Sequence, residues 1–305
     1  MAIYRIGKKL EYIKEEPFRL EKEIQELTEK NLKTIFGLVF VKSEFALNNF
    51  RIDTLAFDRE ANAFVIIEYK RDKNFSVIDQ GYAYLSLMLN NKADFILEFN
   101  ENLDKTLKRT DVDWSQSRVL FVSPSFTNYQ REAINFKDLP IELWEVKRYE
   151  NETVAYEQIQ KTGAQESIKT ISKTDNEKTI VSKELKVYTE NDHISKLNIE
   201  IKELYNKLKD GILNLNETIT LNPRKQFVGF KINGNTFCDV VFLNKSLKIM
   251  INLKSGELKD PNNIARDVSS VGHWGNGAYE IKMQNDDDLE YILSLIKQSL
   301  KKNKE

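Results

Sequence analysis

Residues 49–88 constrain the fold of this chain more than any other stretch, because two strand patterns, a short turn and a helix pattern follow one another directly. Residues 51–58 and 63–70 follow strand patterns, and the four residues between them have the length of a hairpin loop. The second strand contains the unbroken apolar run 64–67, which is typical of a strand buried on both faces. Residues 76–89 then repeat apolar side chains at helical spacing. This order predicts a hairpin followed by a helix that returns beside it.

Polar side chains interrupt this stretch at the ends of its elements. Asp53 lies on the first strand, and Glu68 and Lys70 close the second. Because side chains of a strand alternate between its faces, Glu68 and Lys70 project in one direction. Gln80 and Tyr84, four residues apart on the helix, are neighbours on one helical face. This arrangement predicts a polar site rather than a plain core.

The residue types of this cluster suit a magnesium site. Mg²⁺ prefers oxygen ligands and commonly takes one or two carboxylates, together with water and phosphate. Asp53 and Glu68 would supply the carboxylates, and the backbone carbonyl of Tyr69 a third protein ligand. Bound metal polarises a phosphodiester and lowers the pKa of its water. Lys70 would hold positive charge beside that water, where negative charge grows in the transition state.

Three other residues have supporting roles in this interpretation. Gln80 and Tyr84 would hold the attacking water or a substrate phosphate. A first helix, predicted over 17–36, carries Glu23 at the border of its apolar stripe. Glu23 is therefore either a solvated helix charge or a carboxylate that faces the cluster.

Each of these residues alone also fits an ordinary structural role. Asp53 would then be a solvated residue near a turn, and Tyr84 a packing residue of its helix. Glu68 and Lys70 would be an exposed ion pair of little energetic weight. We favour the active-site interpretation because separate positions along the chain converge on one place.

The joint pattern resembles the PD-(D/E)xK nuclease superfamily. Asp53 matches the first motif, here without the eponymous proline. Glu68 and Lys70 match the E-x-K motif, and Gln80 and Tyr84 match the Q-x-x-x-Y signature of the RecB-like subset. The resemblance implies an α-β-β-β-α-β core and phosphodiester hydrolysis that depends on Mg²⁺ or Mn²⁺.

The resemblance covers roughly the first half of the chain. Residues 20–88 particularly resemble mismatch-type and transposon-type endonuclease domains, and Glu23 matches the acidic residue of the family's first helix. The resemblance leaves open whether the substrate is DNA or RNA and whether cleavage is internal or terminal.

Other chemistries are limited by the scarcity of cysteine and histidine. Cys238 is the single cysteine, so neither an intrachain disulfide nor a cysteine zinc cluster can form. His193 and His273 are the two histidines, which argues against a histidine-rich metal centre and leaves none for a serine–histidine triad in the first half.

Charge gives no general argument for nucleic-acid binding. Charged residues make up 30% of the chain, but the formal net charge is -1. A local basic groove is still compatible with this balance, and Arg51, Arg71 and Lys73 are candidate contacts to a phosphate backbone. No apolar run approaches the ~18–20 residues that span a bilayer, and the first residues lack the apolar core of a signal peptide. We therefore expect a cytoplasmic protein without a membrane partner.

The fold class predicted for the whole chain is α/β (α+β). We expect a restriction-endonuclease-like mixed sheet flanked by helices over 1–150, a polar linker over 151–192, and a smaller α+β domain over 193–305. Further elements are predicted as strands over 94–99, 118–123 and 141–148 and helices over 128–136, 193–215 and 287–300.

The second half resembles an uncharacterised C-terminal domain family that is found attached to nuclease-like domains. The resemblance rests on the strand 247–253 and on the segment 260–275. His273 and Trp274 would form a base-stacking or ligand pocket, or else a structural turn. Arg266 would contact phosphate, or else form a buried ion pair with Asp267.

Two functional hypotheses follow. The first is a metal-dependent nuclease, with Mg²⁺ or Mn²⁺ as cofactor and nucleic acid as partner, DNA being favoured over RNA. The alternative is a non-catalytic nucleic-acid-binding or protein-interaction module that keeps the nuclease fold. A homodimer is an open option in either case.

Overall fold

The computed structural model of the chain describes residues 2–71, 76–103, 106–136, 138–161, 167, 181, 184–273 and 275–304. Lys73 and Trp274, two of the predicted contact residues, lie outside the described residues. The chain divides into two compact units, Met1–Val187 and Tyr188–Glu305. The predicted linker over 151–192 stays a prediction, and the strand Val154–Gln158 lies within that stretch.

The first unit alternates short and long elements. Its strands are β1 (Ile3–Ile6), β2 (Leu10–Ile13), β3 (Glu15–Glu16), β4 (Val39–Leu47), β5 (Phe50–Asp58), β6 (Ala63–Tyr69), β7 (Arg118–Ser123), β8 (Ile141–Tyr149) and β9 (Val154–Gln158). Its helices are α1 (Glu21–Glu29), α2 (Leu32–Phe36), α3 (Val77–Asn90), α4 (Lys92–Leu103) and α5 (Asn128–Ala133).

A mixed sheet forms the centre of this unit, in the order β3-β8-β7-β6-β5-β4, with β9 also paired to β8. The neighbours β4, β5 and β6 run antiparallel. In contrast, β6, β7 and β8 run parallel. Helices cover the sheet, so the predicted restriction-endonuclease-like mixed sheet flanked by helices is confirmed. The antiparallel and the parallel halves meet at β6.

The central position of β6 explains its unbroken apolar sequence. Phe64 and Ile66 belong to the core that α3 and α4 complete. Val65 and Ile67 belong to a second core, which α1 and α2 complete. Since side chains of a strand alternate between its faces, Glu68 continues the row of Phe64 and Ile66 on the side of α3.

A side-chain-stabilised turn joins β5 to β6. One carboxylate oxygen of Asp58 accepts hydrogen bonds from the backbone N–H groups of Glu60 (2.9 Å) and Ala61 (3.0 Å). Asn62 follows with a φ of 50°, a left-handed conformation that Asn tolerates better than most residues. The predicted hairpin is therefore confirmed, and local chemistry fixes its turn.

The start of α3 is also confirmed. Ser76 Oγ accepts a hydrogen bond from the Asp79 N–H (3.3 Å) and donates one to the Asp79 carboxylate (2.6 Å). Further along, Gly81 lets the helix approach the sheet closely, because a Cβ there would lie 2.4 Å from Cδ1 of Ile141. This close approach sets the height of the neighbouring Gln80 above the sheet.

The predicted strand over 94–99 is wrong, because these residues lie within α4. Phe95 and Phe99 are buried at helical spacing, whereas Leu97 is 56% exposed. The ring of Phe95 packs edge-on against Phe45 and Phe64, with centroid distances of 5.2 and 5.7 Å. By intrinsic preference, clustered aromatic residues favour a strand, but here they lie on one face of a helix and pack into the core.

The predicted helix over 17–36 is two helices, α1 and α2. Leu20 lies within the predicted helix by sequence, but it precedes α1 and is 59% exposed. Asn31 interrupts the helical path with a φ of −126° and donates its side-chain N–H to the Leu27 carbonyl at 2.8 Å. Asn competes with the backbone for hydrogen bonds in this way and therefore favours helix ends.

The second unit is a six-stranded antiparallel sheet with helices. Its elements are α6 (Glu190–Ile194), α7 (Ile199–Leu213), β10 (Thr220–Pro223), β11 (Val228–Ile232), β12 (Asn235–Leu243), β13 (Ser246–Ile251), β14 (Arg266–Asp267), β15 (Tyr279–Met283) and α8 (Leu289–Lys304). The strand order is β10-β11-β12-β13-β15-β14. The predicted single helix over 193–215 is thus two helices, since α6 and α7 are separate. None of the helices described here is both long and apolar enough to cross a bilayer.

Candidate active site at the ends of β5 and β6

The hairpin brings Asp53 and Glu68 to the same end of the sheet. The last pair of its register is Thr54 with Ile67, and each carboxylate lies one residue beyond it. One Asp53 carboxylate oxygen accepts a hydrogen bond from the Tyr69 N–H at 2.9 Å. On the other side of β6, the Lys70 N–H donates to the Val122 carbonyl of β7 at 3.0 Å. Both neighbouring strands therefore fix the backbone that carries Glu68.

Glu68 is the centre of the cluster. Its side chain is buried, and Oε1 accepts hydrogen bonds from Lys70 Nζ and from Gln80 Nε2, each at 2.7 Å. Its second oxygen, Oε2, is buried and has no hydrogen-bond partner among the described residues. A buried acceptor without a partner costs about 1–3 kcal/mol, and more when it is charged. This oxygen therefore suits a bound cation.

Helix α3 supplies the outer part of the cluster. Gln80 Nε2 also lies 3.2 Å from the Tyr84 hydroxyl, which donates towards the Arg51 carbonyl at 3.4 Å. Burial, together with the nearby charge of Glu68, raises the pKa of Tyr84 above its ordinary value, so the phenol keeps its proton. The predicted neighbours Gln80 and Tyr84 thus meet Glu68 through a chain of hydrogen bonds.

Charge interactions act on the other two titratable groups. Burial and the charge of Glu68 raise the pKa of Asp53 from 3.8 to about 7, against the opposing hydrogen bond from Tyr69. For Lys70, burial lowers the pKa, but the hydrogen bond and the charge of Glu68 raise it further, and the net shift is upward. Lys70 therefore stays charged at neutral pH, whereas Asp53 is close to half protonated.

Asp53→Asn should stabilise the metal-free protein near pH 8 and have little effect near pH 4. A carboxyl whose pKa is higher in the folded than in the unfolded state lowers the stability of the protein as pH rises from the unfolded-state pKa through the folded-state pKa. Asn stays neutral and can still accept the hydrogen bond from the Tyr69 N–H. We expect a gain of about 2 kcal/mol, after discounting the shift for partial exposure. Thermal unfolding in chelator across this pH range measures it. A gain independent of pH would contradict the origin in Asp53 ionisation.

The donor set fits a divalent cation. Asp53 and Glu68 offer two carboxylates, and Glu68 Oε2 is an orphaned buried acceptor. Within the described residues, no group of three or more His, Cys, Asp or Glu side chains is placed to hold a metal ion, either here or elsewhere. Two carboxylates suffice for Mg²⁺, which keeps several waters and takes substrate phosphate. The Tyr69 carbonyl stays a predicted third ligand.

Glu23 is not brought to this cluster. Its carboxylate accepts from Arg148 Nη1 at 3.4 Å and from the Arg19 N–H at 3.3 Å. The helix that carries it, α1, packs on the core opposite to the one beneath α3. Helical periodicity located Glu23 at the border of a stripe, but it could not tell which face of the sheet that stripe would cover.

The residues of α1 that contact the site from behind are Gln25 and Glu29. Gln25 is buried, and its Nε2 lies 3.0 Å from the Asp53 carbonyl and 3.0 Å from Glu29 Oε1. Glu29 Oε1 also accepts from Thr54 Oγ1 at 2.5 Å, and Thr54 Oγ1 lies 3.2 Å from the Tyr69 hydroxyl. Sequence reasoning missed this network, although polar residues four apart beside an apolar stripe are its signal.

Two of the three predicted phosphate contacts, Arg51 and Arg71, lie among the described residues, close in sequence to the site residues. Arg51 is exposed, two residues before Asp53, and pairs with Glu44. Arg71 is exposed next to Lys70; its N–H donates to Glu21 at 2.9 Å and its guanidinium to the Arg19 carbonyl at 2.7 Å. Both are positioned by protein groups and stay predicted contacts.

In the second unit, the buried ion pair predicted for Arg266 and Asp267 is wrong, because both residues are exposed on the edge strand β14. Asp267 instead accepts from Ser255 Oγ at 2.5 Å and from the Ser269 N–H at 2.8 Å. Both ring nitrogens of His273 lie within 2.9 Å of backbone carbonyl oxygens of its own loop. His273 also lines a cavity together with Leu253 and Lys254, so both the turn and the ligand pocket stay predictions.

These features define the class of the first unit: a restriction-endonuclease-like mixed sheet with Asp53, Glu68 and Lys70 at one end of its central strands. The chain belongs to the same family as an uncharacterized protein of Haemophilus influenzae, to which it is 53% identical over 292 residues, 96% of each chain. Residues 190–303 match DUF5655, a domain of unknown function.

Three solved structures are similar over part of the chain. A complex of EndoMS with double-stranded DNA shares 15% identity at a TM-score of 0.26, covering 42% of this chain and 57% of that one. A repair endonuclease from Pyrococcus abyssi shares 20% at 0.23, covering 40% and 45%. SfsA from Pyrococcus furiosus, in complex with Ca²⁺, shares 14% at 0.25, covering 52% and 74%. Scores of this size carry no functional argument.

Proposed function

We propose that this protein is a metal-dependent nuclease that hydrolyses phosphodiester bonds, with DNA as its substrate. The observation that carries the proposal is the buried Glu68 Oε2, which has no hydrogen-bond partner in the described part of the chain, beside the carboxylate of Asp53. An apolar core would not retain such a group, whereas a cation site uses it. The lysine and glutamine that hold the other oxygen of Glu68 orient it for this use.

Asp53 and Glu68 would hold Mg²⁺ or Mn²⁺, with the Tyr69 carbonyl as a further ligand. Once bound, the metal would polarise the phosphodiester and acidify a water molecule. The protein side chains contribute position: Tyr69 N–H fixes one oxygen of Asp53, and Lys70 and Gln80 fix one oxygen of Glu68. Each carboxylate therefore keeps its second oxygen for a ligand.

Lys70 has a second role in this proposal. Its side chain is 21% exposed and its ammonium group lies 2.7 Å from Glu68 Oε1, so the charge is held next to the place where phosphate would bind. Its raised pKa keeps it charged. A fixed positive charge stabilises the negative charge that develops on phosphate oxygens in the transition state. Lys70 would also position the attacking water.

The surroundings of the site would hold the nucleic acid. Arg51 and Arg71 are exposed and close in sequence to the carboxylates, and cations at such positions bind phosphates without reading sequence. Because the formal net charge of the chain is -1, attraction would depend on this local patch. Binding should therefore weaken with salt, with a shallow slope set by the few phosphates that are neutralised.

The decisive experiment incubates purified protein with supercoiled plasmid, single-stranded DNA and RNA, with Mg²⁺, Mn²⁺ or chelator. We expect cleavage of DNA with either metal and none in chelator. Salt-dependent DNA binding without cleavage in either metal would contradict the catalytic proposal and favour a binding module that keeps the nuclease fold. Cleavage of RNA alone would contradict the choice of DNA.

Mg²⁺ or Mn²⁺ should raise the melting temperature of the protein. A ligand present at about a hundred times its Kd adds about 2.7 kcal/mol to the folded state, which corresponds to roughly 5–10 °C for a unit of this size. Thermal unfolding with increasing metal measures the shift. Glu68→Gln is the matched control, because it keeps the shape of the side chain and loses its charge. An equal shift in Glu68→Gln would locate the cation elsewhere.

A further inference from the structure

The first residues of the chain form a small sheet that is separate from the main one. Strands β1 and β2 pair with each other from Ile3 with Ile13 to Ile6 with Leu10 and, within the described residues, with no other strand. A two-stranded hairpin alone is at best marginally stable in water. Its position is nevertheless fixed at the base, because the Lys14 carbonyl accepts from the Glu150 N–H at 3.1 Å and β3 pairs with β8.

One face of this hairpin is apolar and exposed. The cross-strand pairs Tyr4–Tyr12 and Ile6–Leu10 share that face, because directly opposed residues point the same way. Ile6 is 88% exposed and Leu10 68%, while the two tyrosines are about half exposed. The tyrosine rings contact each other edge-on, with centroids 5.6 Å apart. The face is therefore ordered before anything covers it, which lowers the entropic cost of binding.

We propose that this hairpin face, formed by Tyr4, Ile6, Leu10 and Tyr12, is the contact between two copies of the chain. Covering these four side chains on both copies would remove roughly 1,000 Å² of surface. About that area marks the lower limit of a specific interface. The hairpin face can meet its own copy across a two-fold axis, as in most homo-oligomers.

The four side chains of the hairpin face are uncharged, whereas the bend between β1 and β2 carries Lys8 and Lys9, both exposed. The face itself, rather than the charge of the whole hairpin, favours a second copy over nucleic acid as the occupant. Arg5 and Glu11 alternate with the apolar residues and form an ion pair on the other face. The four side chains of the hairpin face thus include no cation for a phosphate backbone, which nucleic-acid binding requires. They also include no like charges that two identical copies would bring together.

The full-length chain is tested by sedimentation velocity from about 1 to about 100 μM, the range in which weak dimers dissociate. We expect the wild type to pass from monomer to dimer within this range. Ile6→Lys should raise the midpoint concentration at least about tenfold, since like charges would face each other in the dimer. Leu10→Lys, a second variant on the same face, should do the same.

Tyr129→Lys is the matched control, because Tyr129 on α5 is 83% exposed and lies outside the hairpin. It should dimerise as the wild type does. Circular dichroism checks that all variants fold, which the high exposure of Ile6 and Leu10 favours. A wild type that stays monomeric throughout, or hairpin variants that associate as the wild type does, would overturn the proposal. Neither result depends on nuclease activity, so the two proposals stand or fall separately.

Discussion

Asp53→Asn or Glu68→Gln lowers the rate of DNA cleavage by about 10³-fold or more, because each change removes one of two anionic ligands from the proposed metal site. Both variants should fold. Asn keeps an acceptor for the Tyr69 N–H, and Gln keeps an oxygen that can accept from Lys70 and Gln80. Single-turnover cleavage at saturating Mn²⁺, followed on a labelled duplex, measures the change.

The matched control for these two variants is Glu101→Gln, an exposed carboxylate near the end of α4. It changes net charge equally but lies outside the cluster, so cleavage should stay at the wild-type rate. If Asp53→Asn and Glu68→Gln retained wild-type cleavage, a contaminating nuclease or another site would be responsible, and the assignment of the carboxylates would be wrong.

Lys70→Ala should reduce cleavage by about 10²–10³-fold, the usual effect of losing one group that stabilises transition-state charge. Metal binding should survive and even tighten, because Glu68 Oε1 loses its ion pair with Lys70 and keeps only Gln80 as a partner. Calorimetric titration with Mn²⁺, combined with cleavage assays, separates the two effects. Lys70→Arg should restore little activity, because the planar guanidinium places its charge differently.

Lys33→Ala, an exposed position on α2, is the control for loss of a positive charge and should leave both measurements unchanged. The informative pattern is lost cleavage with intact metal affinity. If Lys70→Ala lost cleavage and metal affinity together, Lys70 would act by holding Glu68 in place rather than on the reacting phosphate.

Local chemistry made the central part of the fold predictable from sequence. The hairpin is predicted from the four-residue break between two strand patterns, and the structure shows its turn held by Asp58 and Asn62. The helical spacing over 76–89 predicts α3, whose start is held by the Ser76–Asp79 pair. Strand alternation then locates Glu68 on the face of α3, where Gln80 meets it. These inferences hold because each depends on residues close together in sequence.

Features that depend on distant partners could not be predicted in the same way. The aromatic residues of α4 are buried by side chains from β4 and β6, whereas their local sequence alone predicts a strand. The choice between Glu23 and Gln25 depends on which face of the sheet α1 covers, and no local pattern contains that information. Short strands such as β3 and β14 exist only through their pairing with β8 and β15.

The meeting of antiparallel and parallel pairs at β6 has a consequence for the order in which the site is built. Contacts that are near in sequence close at low entropic cost, whereas distant ones close late. In a chain made from its N-terminus, Asp53 can reach Tyr69 as soon as the hairpin exists. The Lys70 backbone, however, waits for Val122, which lies beyond α3 and α4. The hydrogen bond that aligns Asp53 therefore needs only the hairpin, whereas the one that anchors the Lys70 backbone needs β7; the ion pair between Lys70 and Glu68 is itself local.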